Sequence, residues 1–350
     1  MSSKVQKTMF VVVTFSVVGL FCNFIYIPGT TPNCNLPLDV TTKIGRAQIF
    51  TKNIPDRSVL TKTQFIWGDS GPKVTGTFTS IYMPSSRDMN RERAFGEDST
   101  KSDYNHSSYY DSTNSNWIMW AYQGGDSRNP LSPKIDFSYK GLYGVNNSKS
   151  GLFIYPPVDI SNTTVQNYLF NQYLKPKLAG YNAIALDNAS AYNTGNLGEE
   201  APGIPVGGRI GILVNGQLTP PAGSGQKALG LHNPVFYSGA EVDDNYADDF
   251  VYYMRRITGL AHTNSVCSIA NNKYRNSDPD GNRGFLRVAK EVDISLDETG
   301  FTRHDEGASV CRPVPAHDNS RGLWFKRMIA LQSIAADPSK GFVIVDKTCA

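Results

Sequence analysis

The sequence predicts an α/β protein with a (β/α)8, TIM-barrel-like domain. Short, continuous apolar runs recur along the chain, and segments with a helical pattern lie between several of them. Such runs are typical of strands buried on both faces of a parallel sheet, and their alternation with helices predicts βαβ units with right-handed crossovers. The chain has 350 residues, 40% of them hydrophobic, which is enough for one such domain of about 250 residues or more.

The predicted strands occupy 64–67, 78–82, 117–122, 151–155, 183–186, 210–214, 265–269, 292–296 and 342–345, and the predicted helices occupy 163–178, 244–260, 282–290 and 321–336. Ser161 and Asn162 supply capping groups for the first helix, and Pro338 and Gly341 end the last one. Two segments rich in Gly, Asn, Ser and Pro, 87–116 and 188–242, are predicted to be long loops at one end of the barrel.

Residues 1–28 are predicted to be a signal peptide or a retained N-terminal membrane anchor. Lys4 and Lys7 precede an apolar run from 9 to 27, which is close to the roughly 20 residues that span a bilayer. No pair of small residues marks a cleavage site, which favours a retained anchor. We therefore expect the protein to be secreted or anchored to a membrane, facing outside the cytoplasm.

The rest of the chain divides into a linker and one domain. The proline-containing segment 29–61 is predicted to be a linker, and 62–350 the barrel domain. The chain stops at Ala350 directly after the last predicted strand, so we expect the C-terminal closure of the barrel to be truncated.

Charge, histidine and cysteine patterns exclude several classes of function. The 34 basic and 31 acidic residues are scattered, so we expect no nucleic-acid partner. No histidine has the spacing of a metal-binding motif, and no glycine-rich run has the context of a phosphate loop, so we expect no metal and no cofactor. None of the five cysteines forms a C-x-x-C pair; Cys267 and Cys311 are either a disulfide or two buried thiols.

Two carboxylates follow predicted strands and are the candidate catalytic residues. Asp187 ends the run 183–186, and Glu298 follows the run 292–296 just before Gly300. Barrel enzymes carry their chemistry at the carboxyl ends of strands, although an Asp at a strand end is also a common turn residue. Asp293 lies inside its strand and would need a buried partner, so we interpret it as structural.

Several motifs, in order along 63–346, carry a resemblance to a known family. They are Trp117-Ile118 with Tyr122, DISNTTV at 159–165, Tyr168 with LKP at 174–176, GYNAIALDN at 180–188, SIANN at 268–272 and LDETGF at 296–301. Together they resemble the glycoside hydrolases related to the endo-α-1,4-polygalactosaminidases. The chain departs from that pattern in having Asn182 where many relatives have Asp, and in a long insertion between 188 and about 242.

The resemblance implies a polysaccharide substrate and a site around Asp187 and Glu298. It further implies that Asn188 and either Asn271 or Asn272 bind sugar hydroxyls. The aromatic residues Tyr82, Trp117, Tyr122 and Tyr155 are candidates for a sugar-stacking floor, although each is also a typical core residue.

The predicted function is cleavage of glycosidic bonds in a polysaccharide by two-carboxylate acid/base catalysis. One carboxyl group protonates the leaving oxygen, and the other acts as base or nucleophile. The alternative is a non-catalytic carbohydrate-binding or adhesion protein at the cell surface, which would keep the barrel without the chemistry.

Overall fold

The structure, a computed structural model, describes residues 22–27, 44–49, 51, 56–69, 71, 73–86, 117, 119–122, 130–133, 158–187, 189–192, 210–215, 217–223, 234–238, 243–272, 278, 280–297, 302–304, 311–313, 330, 333–334 and 340–347. Its strands, in chain order, are β1 (Cys22–Ile27), β2 (Ile44–Ile49), β3 (Phe65–Asp69), β4 (Phe78–Pro84), β5 (Trp120–Tyr122), β6 (Pro130–Pro133), β7 (Ala183–Asp187), β8 (Ile210–Val214), β9 (Gln217–Thr219), β10 (Cys267–Asn271), β11 (Ile294–Asp297), β12 (Thr302–His304), β13 (Cys311–Pro313) and β14 (Gly341–Lys347).

The described helices are α1 (Thr163–Tyr168), α2 (Asp244–His262) and α3 (Phe285–Glu291). A π-helical segment (Leu169–Leu174) and a 3-10 turn (Lys175–Lys177) extend α1, so the predicted helix 163–178 is confirmed in extent but not in regularity. Asn162 caps α1 as predicted, because its side chain accepts a hydrogen bond from the backbone N–H of Thr164. Asp243 caps α2 in the same way through the N–H groups of Asn245 and Tyr246.

The central sheet is mostly parallel and has the strand order β1-β14-β11-β10-β7-β4-β3-β2. All neighbours from β2 to β14 are parallel, whereas β1 pairs antiparallel with both β14 and β2. The fold class is therefore α/β, as predicted, and the curled parallel sheet is consistent with a TIM-like barrel.

Two predicted strands do not belong to the central sheet. The runs 117–122 and 210–214 contribute β5 and β8 to a separate antiparallel sheet of order β6-β5-β8-β9. For β8 the reason is local. β8 turns back into the antiparallel β9 at Asn215, whose φ of 52° is the left-handed conformation of a tight hairpin. The predicted strand 151–155 lies outside the described residues, as does most of the predicted helix 321–336.

The N-terminal segments also contribute strands. β1 lies within the predicted signal or anchor segment, and β2 and a 3-10 helix, Arg57–Lys62, lie within or across the end of the predicted linker. Residues 1–21 are outside the described residues. Across the described part of the chain, no helix is long and apolar enough to cross a membrane.

Alternation along the strands divides the apolar side chains between two layers. The inner layer lines the inside of the curled sheet and comprises Ala47, Phe65, Trp67, Phe78, Ala183, Ala185, Cys267, Ile269, Ile294, Leu296 and Val343. The outer layer lies between the sheet and the helices, where Ile184 and Leu186 of β7 share a cluster with Phe250, Met254 and Ile257 of α2. Residues of one strand therefore alternate between the two layers, as the period of two requires.

Cys267 belongs to the inner layer and is disulfide-bonded. This excludes the buried-thiol interpretation for Cys267. The side chain of its partner cysteine lies outside the described residues.

Candidate functional site

Asp187 is the last residue of β7 and lies at the carboxyl end of the central parallel sheet. Because side chains alternate along a strand, the side chain of Asp187 points to the same inner side as Ala183 and Ala185. Only 7% of the residue is exposed, although it is charged in its ionised form. A carboxylate in such a position needs hydrogen-bond donors, because burial without them is costly.

Two neighbouring strands supply those donors. The hydroxyl of Tyr82 on β4 donates to Oδ2 of Asp187 at 2.9 Å, and Nδ2 of Asn271 on β10 donates to Oδ1 at 3.0 Å. The pairing registers explain this convergence, because Tyr82 aligns with Ala185, and Ala270 aligns with Leu186. Three strands that are far apart in sequence thus bring a tyrosine, a carboxylate and an amide together.

Beneath this group lies the apolar inner layer. Trp67 on β3 is fully buried, and its ring meets that of Tyr82 edge-on at a centroid distance of 6.2 Å. From the sequence, Trp67 was predicted only as part of a strand. The signal that could have found it is its position two residues after Phe65, on the same face of β3.

Asn271 and Asn272 have different surroundings. Asn272 faces away from Asp187, and its Nδ2 donates to the backbone carbonyl of Phe285 at 2.7 Å, at the start of α3. Its backbone N–H donates to the carbonyl of Leu296 at 3.2 Å. Of the two alternatives left open by the sequence, Asn271 is the one that contacts the candidate catalytic carboxylate.

The remaining candidates are not brought to Asp187 by the described contacts. Trp117 packs against Tyr168 of α1 with ring centroids 5.1 Å apart, in the outer apolar cluster. Tyr122 belongs to β5 of the separate antiparallel sheet. Tyr155, Asn188 and Glu298 lie outside the described residues. The strand that precedes Glu298, β11, ends at Asp297 and pairs with β10 and β14 at the same end of the sheet as Asp187.

A buried polar cluster, missed by the sequence analysis, lies near Asp159. The carboxylate of Asp159 accepts hydrogen bonds from the N–H and hydroxyl of Ser161, at 3.0 and 2.5 Å, and from the N–H of Ala222 at 2.9 Å. Burial raises the pKa of Asp159 above its ordinary value and outweighs these hydrogen bonds, which lower the pKa. Since Ala222 follows β9, the cluster attaches the antiparallel sheet to the segment before α1.

Tyr237 extends this cluster towards α2. Its hydroxyl donates to Oδ2 of Asp249 at 2.7 Å, and both residues are buried. Burial, followed by the charge of Asp249, raises the pKa of Tyr237 well above its ordinary value. The sequence carries no motif for this pair, because Tyr237 lies in a predicted loop.

Asp293 is held by a second polar group at the amino ends of the strands. Its carboxylate contacts Nε2 of His262 at 2.9 Å and accepts the N–H and hydroxyl of Ser268 at 2.8 and 3.1 Å. Asp293 directly precedes β11 instead of lying inside it. It has the buried partner that the sequence called for in Ser268, and a half-buried one in His262. Within the described residues, no group of three or more His, Cys, Asp or Glu side chains could hold a metal ion.

The chain has little sequence similarity to known proteins. No family profile matches it, and no curated protein matches it. Among solved structures, the chain is similar to a variant of the glycoside hydrolase domain of PelA from Pseudomonas aeruginosa, with a TM-score of 0.39 and 10% sequence identity, over 83% of this chain and 79% of that domain.

Proposed function

We propose that this protein is a glycoside hydrolase that cleaves a polysaccharide, with Asp187 and Glu298 as its catalytic carboxylates. The observation that carries the proposal is the position of Asp187. It is a nearly buried carboxylate at the carboxyl end of a central parallel strand, with each oxygen held by a donor from a different neighbouring strand. A carboxylate fixed in this way is preorganised for chemistry at that end of the sheet.

Glu298 is the proposed second carboxylate because of where β11 ends. Ile294 and Leu296 of β11 face the inner layer, and in the sequence Glu298 continues their period of two just after the strand ends. Glycosidic cleavage requires two such groups, one to protonate the leaving oxygen and one to act as base or nucleophile on the other side of the sugar.

The substrate class rests on the sequence motifs. GYNAIALDN and LDETGF resemble the strands that carry these carboxylates in glycoside hydrolases related to the endo-α-1,4-polygalactosaminidases. One described contact of Asp187 supports the assignment of the first motif, because Asn271 belongs to SIANN, another motif of the same set.

The test is release of reducing ends from a panel of neutral and amino-sugar polysaccharides by the full chain. Asp187→Asn and Glu298→Gln should each lower the rate by roughly 100-fold or more, because each removes one of the groups that move protons or attack carbon. Asp293→Asn is the matched control, since it changes a buried carboxylate at the opposite end of the strands. Glycan binding without cleavage by the parent protein would instead support a carbohydrate-binding function.

We also propose that the protein acts outside the cytoplasm. The lysine-flanked apolar run at 9–27 supports this, and so does the disulfide at Cys267, because structural disulfides persist mainly in oxidising compartments. Mass spectrometry of the protein from its native host, unfolded in denaturant and alkylated without reduction, should find Cys267 unmodified. Alkylation at Cys267 under those conditions would contradict the proposal.

A further inference from the structure

We infer that Tyr82 and Asn271 are positioning residues that hold Asp187 as an ionised carboxylate, so that Asp187 is the base or nucleophile of the reaction and Glu298 is the proton donor. This inference rests on the proposed function. It replaces the earlier interpretation, in which Asn271 and Tyr82 contacted the sugar, with one in which they act through Asp187.

The hydrogen bond from Asn271 has a fixed direction, and both hydrogen bonds fit the ionised form of Asp187. An amide Nδ2 can only donate, and Asn271 donates to Oδ1 at 3.0 Å. The hydroxyl of Tyr82 reaches Oδ2 at 2.9 Å, so in the ionised form both oxygens accept a hydrogen bond. Hydrogen bonds donated to a carboxylate favour its charged state and are stronger than bonds between neutral groups.

The surroundings of the two donors fix their geometry. Tyr82 stands edge-on against the fully buried Trp67, which restricts its ring. Asn271 is 6% exposed, and its backbone carbonyl accepts the N–H of Ala189, just after β7. The described hydrogen bonds to Asp187 from the adjacent strands come from Tyr82 on β4 and Asn271 on β10. Glu298 is the proposed titratable group that follows β11.

Two reaction mechanisms are possible with these roles for Asp187 and Glu298. In one, an oxygen of Asp187 bonds to the anomeric carbon while the bond to the leaving oxygen breaks and that oxygen takes the proton of Glu298; water then displaces Asp187 and returns a proton to Glu298. In the other, Asp187 takes a proton from water, the water oxygen bonds to the anomeric carbon, and Glu298 again protonates the leaving oxygen. Asp187 begins ionised in both.

Infrared difference spectra test the charge state without any substrate. The spectrum of the parent protein minus that of Asp187→Asn, recorded at mildly acidic pH, should show carboxylate bands for Asp187 and no protonated-carboxyl band. These bands should shift in Tyr82→Phe and in Asn271→Ala, each compared with its own Asp187→Asn double variant. Tyr181→Phe is the matched control, because the Tyr181 hydroxyl donates to the carbonyl of Gly71 instead. A protonated-carboxyl band in the parent, or bands that do not move in Tyr82→Phe, would overturn the inference.

Kinetics on aryl glycosides provide the second test. A good leaving group needs no proton, so Glu298→Gln should retain most activity on a dinitrophenyl glycoside, whereas Asp187→Asn should lose it. Tyr82→Phe and Asn271→Ala should lower kcat on that substrate by roughly 10- to 100-fold with little change in KM, because they weaken the reacting carboxylate rather than substrate binding. The reverse pattern, with Asp187→Asn active and Glu298→Gln inactive, would overturn the assignment. If no glycoside is cleaved, the proposed function fails, and the infrared spectra still decide the charge state of Asp187.

Discussion

Arg57→Ala should be among the most destabilising surface-accessible substitutions in this protein. The guanidinium of Arg57 donates to both oxygens of Asp69, with Nη2 at 2.9 Å from Oδ2 and 3.2 Å from Oδ1. The Asp69 side chain is fully buried, whereas 29% of the Arg57 side chain is exposed. Removing Arg57 therefore leaves a buried charge at the end of β3 without its counter-ion.

Breaking a buried ion pair typically costs about 3 to 5 kcal/mol. Among the described contacts of Asp69, two donors remain in the variant: the hydroxyl of Thr51 and the N–H of Gly71, the latter at 3.1 Å from Oδ1. These retain part of the stabilisation, so we expect a loss of about 3 kcal/mol in the free energy of unfolding. Urea unfolding followed by circular dichroism measures it, and the slope should stay unchanged.

Arg255→Ala is the matched control. Arg255 also makes a two-point ion pair, to Glu291 with both distances at 2.8 Å, but 56% of its side chain is exposed. Exposed pairs contribute about 0 to 1 kcal/mol, so this variant should lose less than Arg57→Ala by about 2 kcal/mol or more. Equal losses in the two variants would refute the reasoning that burial of the carboxylate decides the cost.

Three further substitutions test packing and pH dependence. Gly223→Ala should lower the free energy of unfolding by about 1 to 3 kcal/mol, because the new Cβ would lie 2.1 Å from the carbonyl oxygen of Ser161. Gly259 lies inside α2, and a Cβ there would have no neighbour within 4 Å, so Gly259→Ala should raise the free energy of unfolding by about 0.5 to 1 kcal/mol. Urea unfolding measures both changes. Because burial raises the pKa of Asp159 above its ordinary 3.8, the contribution of Asp159 to stability is present below that pH and is lost as the pH rises through the folded-state pKa. The free energies of unfolding of the parent and of Asp159→Asn, measured across pH, should therefore differ by an amount that changes with pH. A constant difference would contradict the prediction.

The sequence predicted the parallel strands β3, β4, β7, β10, β11 and β14 because each is a short apolar run. It assigned β2 to the linker, since Ile44–Ile49 includes Arg46 and Gln48. The run 183–186 became Ala183–Asp187, and the run 342–345 became Gly341–Lys347. Periodicity does not encode partners, however. An isolated run such as 210–214 looks the same whether it pairs in a parallel barrel or in a small antiparallel sheet, and only the hairpin at Asn215 distinguishes the two.

The candidate site could be predicted in part for the same reason. Asp187 was identified because a carboxylate ends an apolar strand, which is a local pattern. The partners of Asp187 depend on register between strands about 84 and 105 residues away in sequence, which no local pattern contains. Tyr82 was therefore assigned to stacking, and Asn271 could not be separated from Asn272.

The alternation of side chains that places the core residues on β10 also determines which amide reaches Asp187. On β10, Ile269 and Asn271 share the inner face, so Asn272 must point the other way, towards α3. A shift of one residue in the β7–β10 register would turn Ile269 out of the inner layer and replace Asn271 by Asn272 beside Asp187. The apolar packing of Ile269 and Leu296 thus specifies which amide reaches the carboxylate. Substitutions in that inner layer should therefore affect the orientation of Asp187 as well as stability.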